Sequence, residues 1–237
     1  MKSILILFAL AALLNAPGTW VPVLMSPAAA QASPEGMREM TREEGEALYE
    51  WARRYLLEIG SREDEGRRSI PTDLERLRAM YFMSVEDRGW IQRAEALLHD
   101  LEERPATSLR DRVVLDSYRG ALEVVRARHA RWPPTRLQHL RDGMEILDRI
   151  VGEEPRNLEA RYLRLVSCYY LPFFFRREES VREDFQVLVG ALPHGPEVFS
   201  PPVYRGVVQF LLDNGDLDAQ ERTLLQQALE SLRDSRS

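Results

Sequence analysis

The chain has 237 residues, 38 acidic against 32 basic, with a formal net charge of -6, four histidines and one cysteine. That acidic balance lacks the basic stripe a nucleic-acid partner requires, and a lone Cys168 excludes an internal disulfide. Lys2 is the single lysine, so a Schiff-base lysine, a Walker-type phosphate lysine and a Ser-Lys dyad are excluded from the rest of the chain.

Residues 1–32 have the form of a secretory signal peptide. Lys2 supplies the positive start, residues 4–14 the apolar run, and Ala30-Gln31-Ala32 the small-x-small site, with cleavage expected after Ala32. Pro17, Gly18 and Pro22 interrupt the apolar stretch, whereas a membrane span needs about 20 apolar residues in a row. The expectation is therefore a periplasmic or secreted protein with no transmembrane segment in the mature chain; the alternative is an N-terminal anchor to the inner membrane. Residues 33–40 are a polar lead-in, and residues 41–237 are expected to form a single all-helical domain.

Within that domain the apolar residues recur at three- and four-residue steps. Thr41-Arg42-Glu43-Glu44 has the capping-box pattern, and Leu48, Trp51, Ala52, Tyr55, Leu56 and Ile59 form the first stripe. Residues 60–69 carry dense charge and read as a loop. Pro71-Thr72-Asp73 opens a second helix through Leu74, Leu77, Met80 and Tyr81. Ser84 or Asp87 starts a third through Trp90, Ile91, Ala94, Leu97, Leu98 and Leu101, which Pro105 ends. Thr107 or Ser108 caps a long fourth, with Leu109, Val113, Leu115, Tyr118, Ala121, Leu122 and Val125 on its apolar side; Trp132-Pro133-Pro134 closes it.

The central stretch, residues 132–192, organises the rest. Leu137, Leu140, Met144, Leu147 and Ile150 mark one helix, Pro155-Arg156-Asn157 stops it, a second runs from Leu158 to about Leu171, and a third from about Ser180 to Leu192. Helix, short proline turn, helix is the pattern of an antiparallel helical hairpin. Ser200-Pro201-Pro202 then starts a helix with proline in its first turn, and residues 218–232 form the last. No segment alternates with a period of two, so no sheet is expected. The fold class is all-α: about nine helices in antiparallel hairpins, either tetratricopeptide-like or an irregular stack.

Glu154-Pro155-Arg156-Asn157-Leu158-Glu159-Ala160 resembles a tetratricopeptide turn. Tyr118-Arg119-Gly120-Ala121, Trp132-Pro133-Pro134, Gly143 with Glu145-Ile146-Leu147, Glu159-Ala160-Arg161-Tyr162-Leu163-Arg164, Pro172-Phe173-Phe174 and Glu183-Asp184 are together similar to a family of exported bacterial proteins with tetratricopeptide-like helices. The resemblance covers about half of the mature chain. It implies a helical fold and brings no activity and no catalytic residue.

Arg161 and Arg164 stand three apart on one apolar helix, and a buried guanidinium needs a carboxylate partner. Glu159, Glu183 and Asp184 are the nearest candidates. The set Arg161, Arg164, Glu159, Asp184 and Tyr118 is read either as a salt-bridge lock between two helices or as a clamp for a carboxylate-bearing ligand. Cys168 reads as a small core residue, and Tyr169 to Phe175 as core aromatics at a proline kink, with a membrane-touching patch or a ligand groove as the alternatives.

No catalytic residue, metal site or cofactor emerges. The histidines 99, 129, 139 and 194 lack the four-residue spacing of a helical zinc pair, and Gly-x-Ser-x-Gly, Gly-x-Gly-x-x-Gly and Cys-x-x-Cys are absent from the sequence. The expected function is a scaffold that binds a peptide or protein partner. A small-molecule or lipid binder in the envelope, and an acid–base hydrolase on a helical frame, are the alternatives.

Overall fold

A computed structural model describes residues 42–61, 69–105, 107–171, 173–195 and 199–234. The signal segment with its cut after Ala32, the lead-in 33–40, the Thr41 cap, residues 62–68 of the charged segment, Pro172 and Pro196 lie outside them. Nine α-helices make up the described chain: α1 (Arg42–Ser61), α2 (Ile70–Glu86), α3 (Gly89–Glu103), α4 (Leu109–His129), α5 (Pro133–Glu153), α6 (Leu158–Tyr169), α7 (Glu178–Ala191), α8 (Pro201–Asn214) and α9 (Ala219–Asp234). Short 3-10 turns at Phe173–Phe175 and Leu192–His194 flank α7, and there is no strand among the described residues.

Local chemistry starts and stops these helices. Ser69 caps α2, its hydroxyl accepting from the Thr72 amide. Asp87 accepts from the Gly89 amide at 2.8 Å, while the Ser84 hydroxyl is turned back to the Tyr81 carbonyl. Ser108 forms a reciprocal capping box with Asp111 at the start of α4; Thr107 instead donates to the Leu101 carbonyl. Asn157 caps α6 through the Ala160 amide. Asp218 and Glu221 exchange the same reciprocal pair ahead of α9.

Three boundaries and two faces differ from the sequence reading. Helix α1 continues through Gly60 and Ser61, into the range expected to be a loop. Pro133 and Pro134 are the first residues of α5, where a missing amide costs nothing, and α7 begins at Glu178. Leu109 and Leu137, both expected on buried stripes, are 83% and 43% exposed. Leu109 opens α4 a full turn before burial begins at Val114, and Leu137 lies on the rim of a groove described below.

Helices α4, α5 and α6 run antiparallel in succession. Gly120 faces Gly143 across the α4–α5 crossing, and a Cβ on Gly143 would stand 2.6 Å from the Gly120 carbonyl oxygen, so these two glycines allow the backbones to meet. Met144 and Cys168 meet across α5 and α6, sulfur to sulfur at 3.9 Å. Helix α1 packs on α2 and also on α8, where Leu48 covers Gly206. A linear solenoid keeps each unit to its neighbours; the α1–α8 contact makes this an irregular helical stack.

Two cores lie on either side of α6. Leu163 and Cys168 face a core built by α2 to α5, with Leu77, Leu101, Leu115, Leu122 and Leu147 at its centre. Leu158, Tyr162 and Leu165 face the other, built with α7, α8 and α9 around Leu188, Tyr204, Val207 and Leu211. Ten of the twelve residues of α6 are buried, which is the signature of a helix enclosed on all sides.

Candidate functional site

Enclosing α6 takes Glu159, Arg161 and Arg164 out of water along with the leucines. A charge so placed is tolerated when it is paired and its remaining donors and acceptors are satisfied. The structure meets that condition twice, with different partners.

In the first cluster Arg78 of α2 grips Glu159 with two parallel bonds, Nε to Oε1 at 2.7 Å and Nη2 to Oε2 at 2.8 Å. The Tyr118 hydroxyl of α4 donates to Oε1 at 2.7 Å, and Arg78 Nη1 reaches Glu75 at 3.2 Å. Burial alone would lower the Arg78 pKa; the Glu159 carboxylate more than offsets it, and the guanidinium is held above its ordinary value. Burial and then the same carboxylate hold the Tyr118 phenol well above its own. The cluster joins α2, α4 and α6.

In the second cluster Arg161 donates through Nε to the Pro155 carbonyl at 2.6 Å and through Nη1 to Asp184 at 2.7 Å. Arg164 forks onto the same carboxylate, Nε at 2.7 Å and Nη2 at 2.8 Å. Both guanidiniums reach Glu183, at 3.2 and 2.9 Å, and Arg164 Nη1 lies 3.6 Å from Asp148 of α5. Asp184 is fully buried whereas the Glu183 side chain is 52% exposed. Burial raises the Asp184 pKa against the pull of Arg164 and Arg161. For Glu183 a burial penalty is outweighed by the same two arginines, and its pKa is lowered.

The five residues selected from the sequence are thus split. Arg161, Arg164 and Asp184 come together; Glu159 and Tyr118 do not join them. Pairing Glu159 with Arg161 or Arg164 is corrected, because Glu159 points from a different face of α6 toward α2 and α4. Arg78 went unread, 81 residues away from its partner. Its signal was present: Leu74, Leu77, Arg78 and Tyr81 have the spacing of one helix face, which places an arginine on an apolar stripe.

The aromatic run 169–175 divides as well. Tyr169 ends α6 and packs on Phe185 and Phe210 in the second core. Phe174 is 50% exposed, and its ring lies 4.7 Å from that of Phe175. Phe175 and Leu171 face Leu137, Leu140 and Met144 of α5 across a groove of about 210 Å³, with Arg141 and Arg177 at its edge. Arg176 has a φ of 53°, the left-handed region, which costs a side-chain-bearing residue about 1 kcal/mol or more.

A second groove of about 350 Å³ between α3 and α4 carries Glu95, Glu102 and Glu123. Arg126 is paired with Glu95 and Glu123, Arg119 with Glu102, and His139 Nδ1 lies 2.8 Å from Glu123 Oε2. Among the described residues no group of three or more His, Cys, Asp or Glu is arranged to hold a metal ion. No described helix is long and apolar enough to cross a membrane. Cys168 is buried beside Met144, and burial pushes its thiol pKa up to about 12, which keeps it in the unreactive protonated form. Comparisons with protein-family models, with curated proteins and with solved structures find no match for this chain.

Proposed function

We propose that this chain is an exported helical scaffold that binds a peptide or protein partner at its surface. The observation that carries the reading is the contrast between interior charge turned to internal partners and half-exposed apolar side chains beside a groove. The arginines best suited to clamp a ligand, Arg161 and Arg164, have their donors turned to Asp184, Glu183, Asp148 and the Pro155 carbonyl. Leu137, by contrast, lines a recessed apolar groove at 43% exposure, and Phe174, 50% exposed and packed on Phe175, adjoins it in the chain; aromatic side chains are enriched in protein interfaces. Export rests on the signal pattern of Lys2, residues 4–14 and Ala30-Gln31-Ala32, in keeping with the resemblance to exported helical proteins.

The test uses the full chain, affinity-tagged at its C-terminus and crosslinked in the intact envelope of its native host. The expected result is a reproducible crosslinked protein that is lost in the double variant Leu137→Asp, Phe174→Asp, with the variant melting like the wild type. A partner set unchanged by that variant, or none at all, overturns the reading. N-terminal sequencing of the same preparation checks export, which predicts Ser33 as the first residue.

A further inference from the structure

Resting on the scaffold reading, the geometry points to the groove between α5 and the Phe173–Phe175 turn as the seat of one large apolar side chain of a peptide, with a carboxylate beside it received by Arg141. The groove has a firm floor and an open lip. Leu140 and Met144 are buried in the first core, while Leu137 is 43% exposed at the rim. Its volume of about 210 Å³ falls below the roughly 300–1,000 Å³ typical of small-molecule pockets, so it suits a single side chain better than a whole cofactor.

The charge of the rim supplies the second half of the recognition. In a chain with a net charge of -6, Arg141 and Arg177 both border this groove. Arg177 is held by Asp148 Oδ2 at 2.5 Å, and Asp148 Oδ1 faces Arg164, so that wall of the groove is anchored to the buried charge cluster. Arg141 is exposed and makes no ion pair with another described residue. An anchored guanidinium and an uncommitted one at the edge of an apolar recess complement a carboxylate adjoining an apolar side chain. The left-handed Arg176 sits between Phe175 and Arg177, both of which line the groove. A recessed seat favours an inserted peptide side chain over a membrane surface, which would call for an apolar face projecting into lipid.

The experiment selects a displayed library of short random peptides against the tagged full chain and measures the enriched peptides by fluorescence polarisation. The expected outcome is enrichment of Phe, Leu or Trp next to Asp, Glu or a free C-terminus, with affinity about tenfold weaker in Arg141→Glu, as for loss of a charged hydrogen bond. Leu137→Asp should weaken it similarly, and Arg141→Lys should retain part of it; both positions are on the surface, so the variants fold. Enriched peptides without an acidic group, or ones bound equally well by Arg141→Glu, overturn the groove assignment and leave the scaffold reading standing. Binding of phosphatidylethanolamine–phosphatidylglycerol vesicles through Leu137 and Arg141, with no peptide enriched, replaces the peptide by a membrane and overturns it too. If neither peptides nor vesicles bind and crosslinking yields no partner, both readings fail together.

Discussion

On one face of α6 a single carboxylate, Glu159, is met by one guanidinium and one phenol; on another, two guanidiniums, Arg161 and Arg164, converge on Asp184 and Glu183. The first cluster is sealed, with Glu159 and Tyr118 both almost fully buried. The second opens to water at Glu183, whose side chain is 52% exposed. The lesson is that charge inside this fold is graded. Removing a sealed partner strands an opposite charge in the core, while removing an open one leaves a charge that solvent can still reach.

The largest effect tests the sealed member of the second cluster. Asp184→Ala leaves Arg161 and Arg164 with Glu183 and Asp148, and is expected to cost about 4 kcal/mol in urea unfolding. A loss below about 1 kcal/mol would mean that water enters this cluster and would erase the distinction between sealed and open partners.

Next comes Glu159→Ala, which removes both bonds to Arg78 and is expected to cost about 3 kcal/mol. The triple replacement Arg78→Met, Glu159→Leu, Tyr118→Phe, which also removes the hydroxyl that Glu159 accepts from, should recover to within about 1 kcal/mol of the wild type, because an apolar set no longer needs solvation. Failure to recover would show that the ion pair, and not merely its completeness, holds α2 against α6. Tyr118→Phe is milder: Glu159 keeps Arg78 and loses one donor, with an expected cost of about 1 kcal/mol.

Glu183→Gln should be smallest, about 0.5 kcal/mol near neutral pH. Its pH dependence carries a sign. The folded-state pKa of Glu183 is lowered below the ordinary 4.5, so its contribution is present above the unfolded value and disappears as pH falls through the lower folded one. Wild type and variant should therefore converge on acidification below about pH 4.5. A constant gap, or a cost matching that of Asp184→Ala, would place Glu183 among the sealed partners.

The helices themselves were legible. Stripes such as Leu140, Met144, Leu147 and Ile150, and stops such as Pro155 before the Asn157 cap, act within a few residues, and the nine described helices have the expected number and order, with boundaries shifted at Gly60, Pro133 and Glu178. Arg161, Arg164 and Asp184 were legible as a group because they sit on consecutive helices about twenty residues apart. Arg78 was not read as the partner of Glu159, since nothing local relates α2 to α6. The groove was legible in part: the Tyr169 to Phe175 run offered one wall, while the facing wall, Leu137, Leu140 and Met144 of α5, lies about thirty residues earlier and gave no local sign of it.

The sequence by itself therefore determined helical class, element order, the Ser108 cap as one of two candidates and the need for buried charge to be matched, since backbone hydrogen bonding, capping and side-chain periodicity are short-range. Tertiary structure alone decided which carboxylate meets which guanidinium, that α1 closes onto α8, and that Leu137 faces a recess instead of the core. Those outcomes depend on how rigid helices pack against one another, where a rotation of one helix by one residue exchanges a buried position for an exposed one.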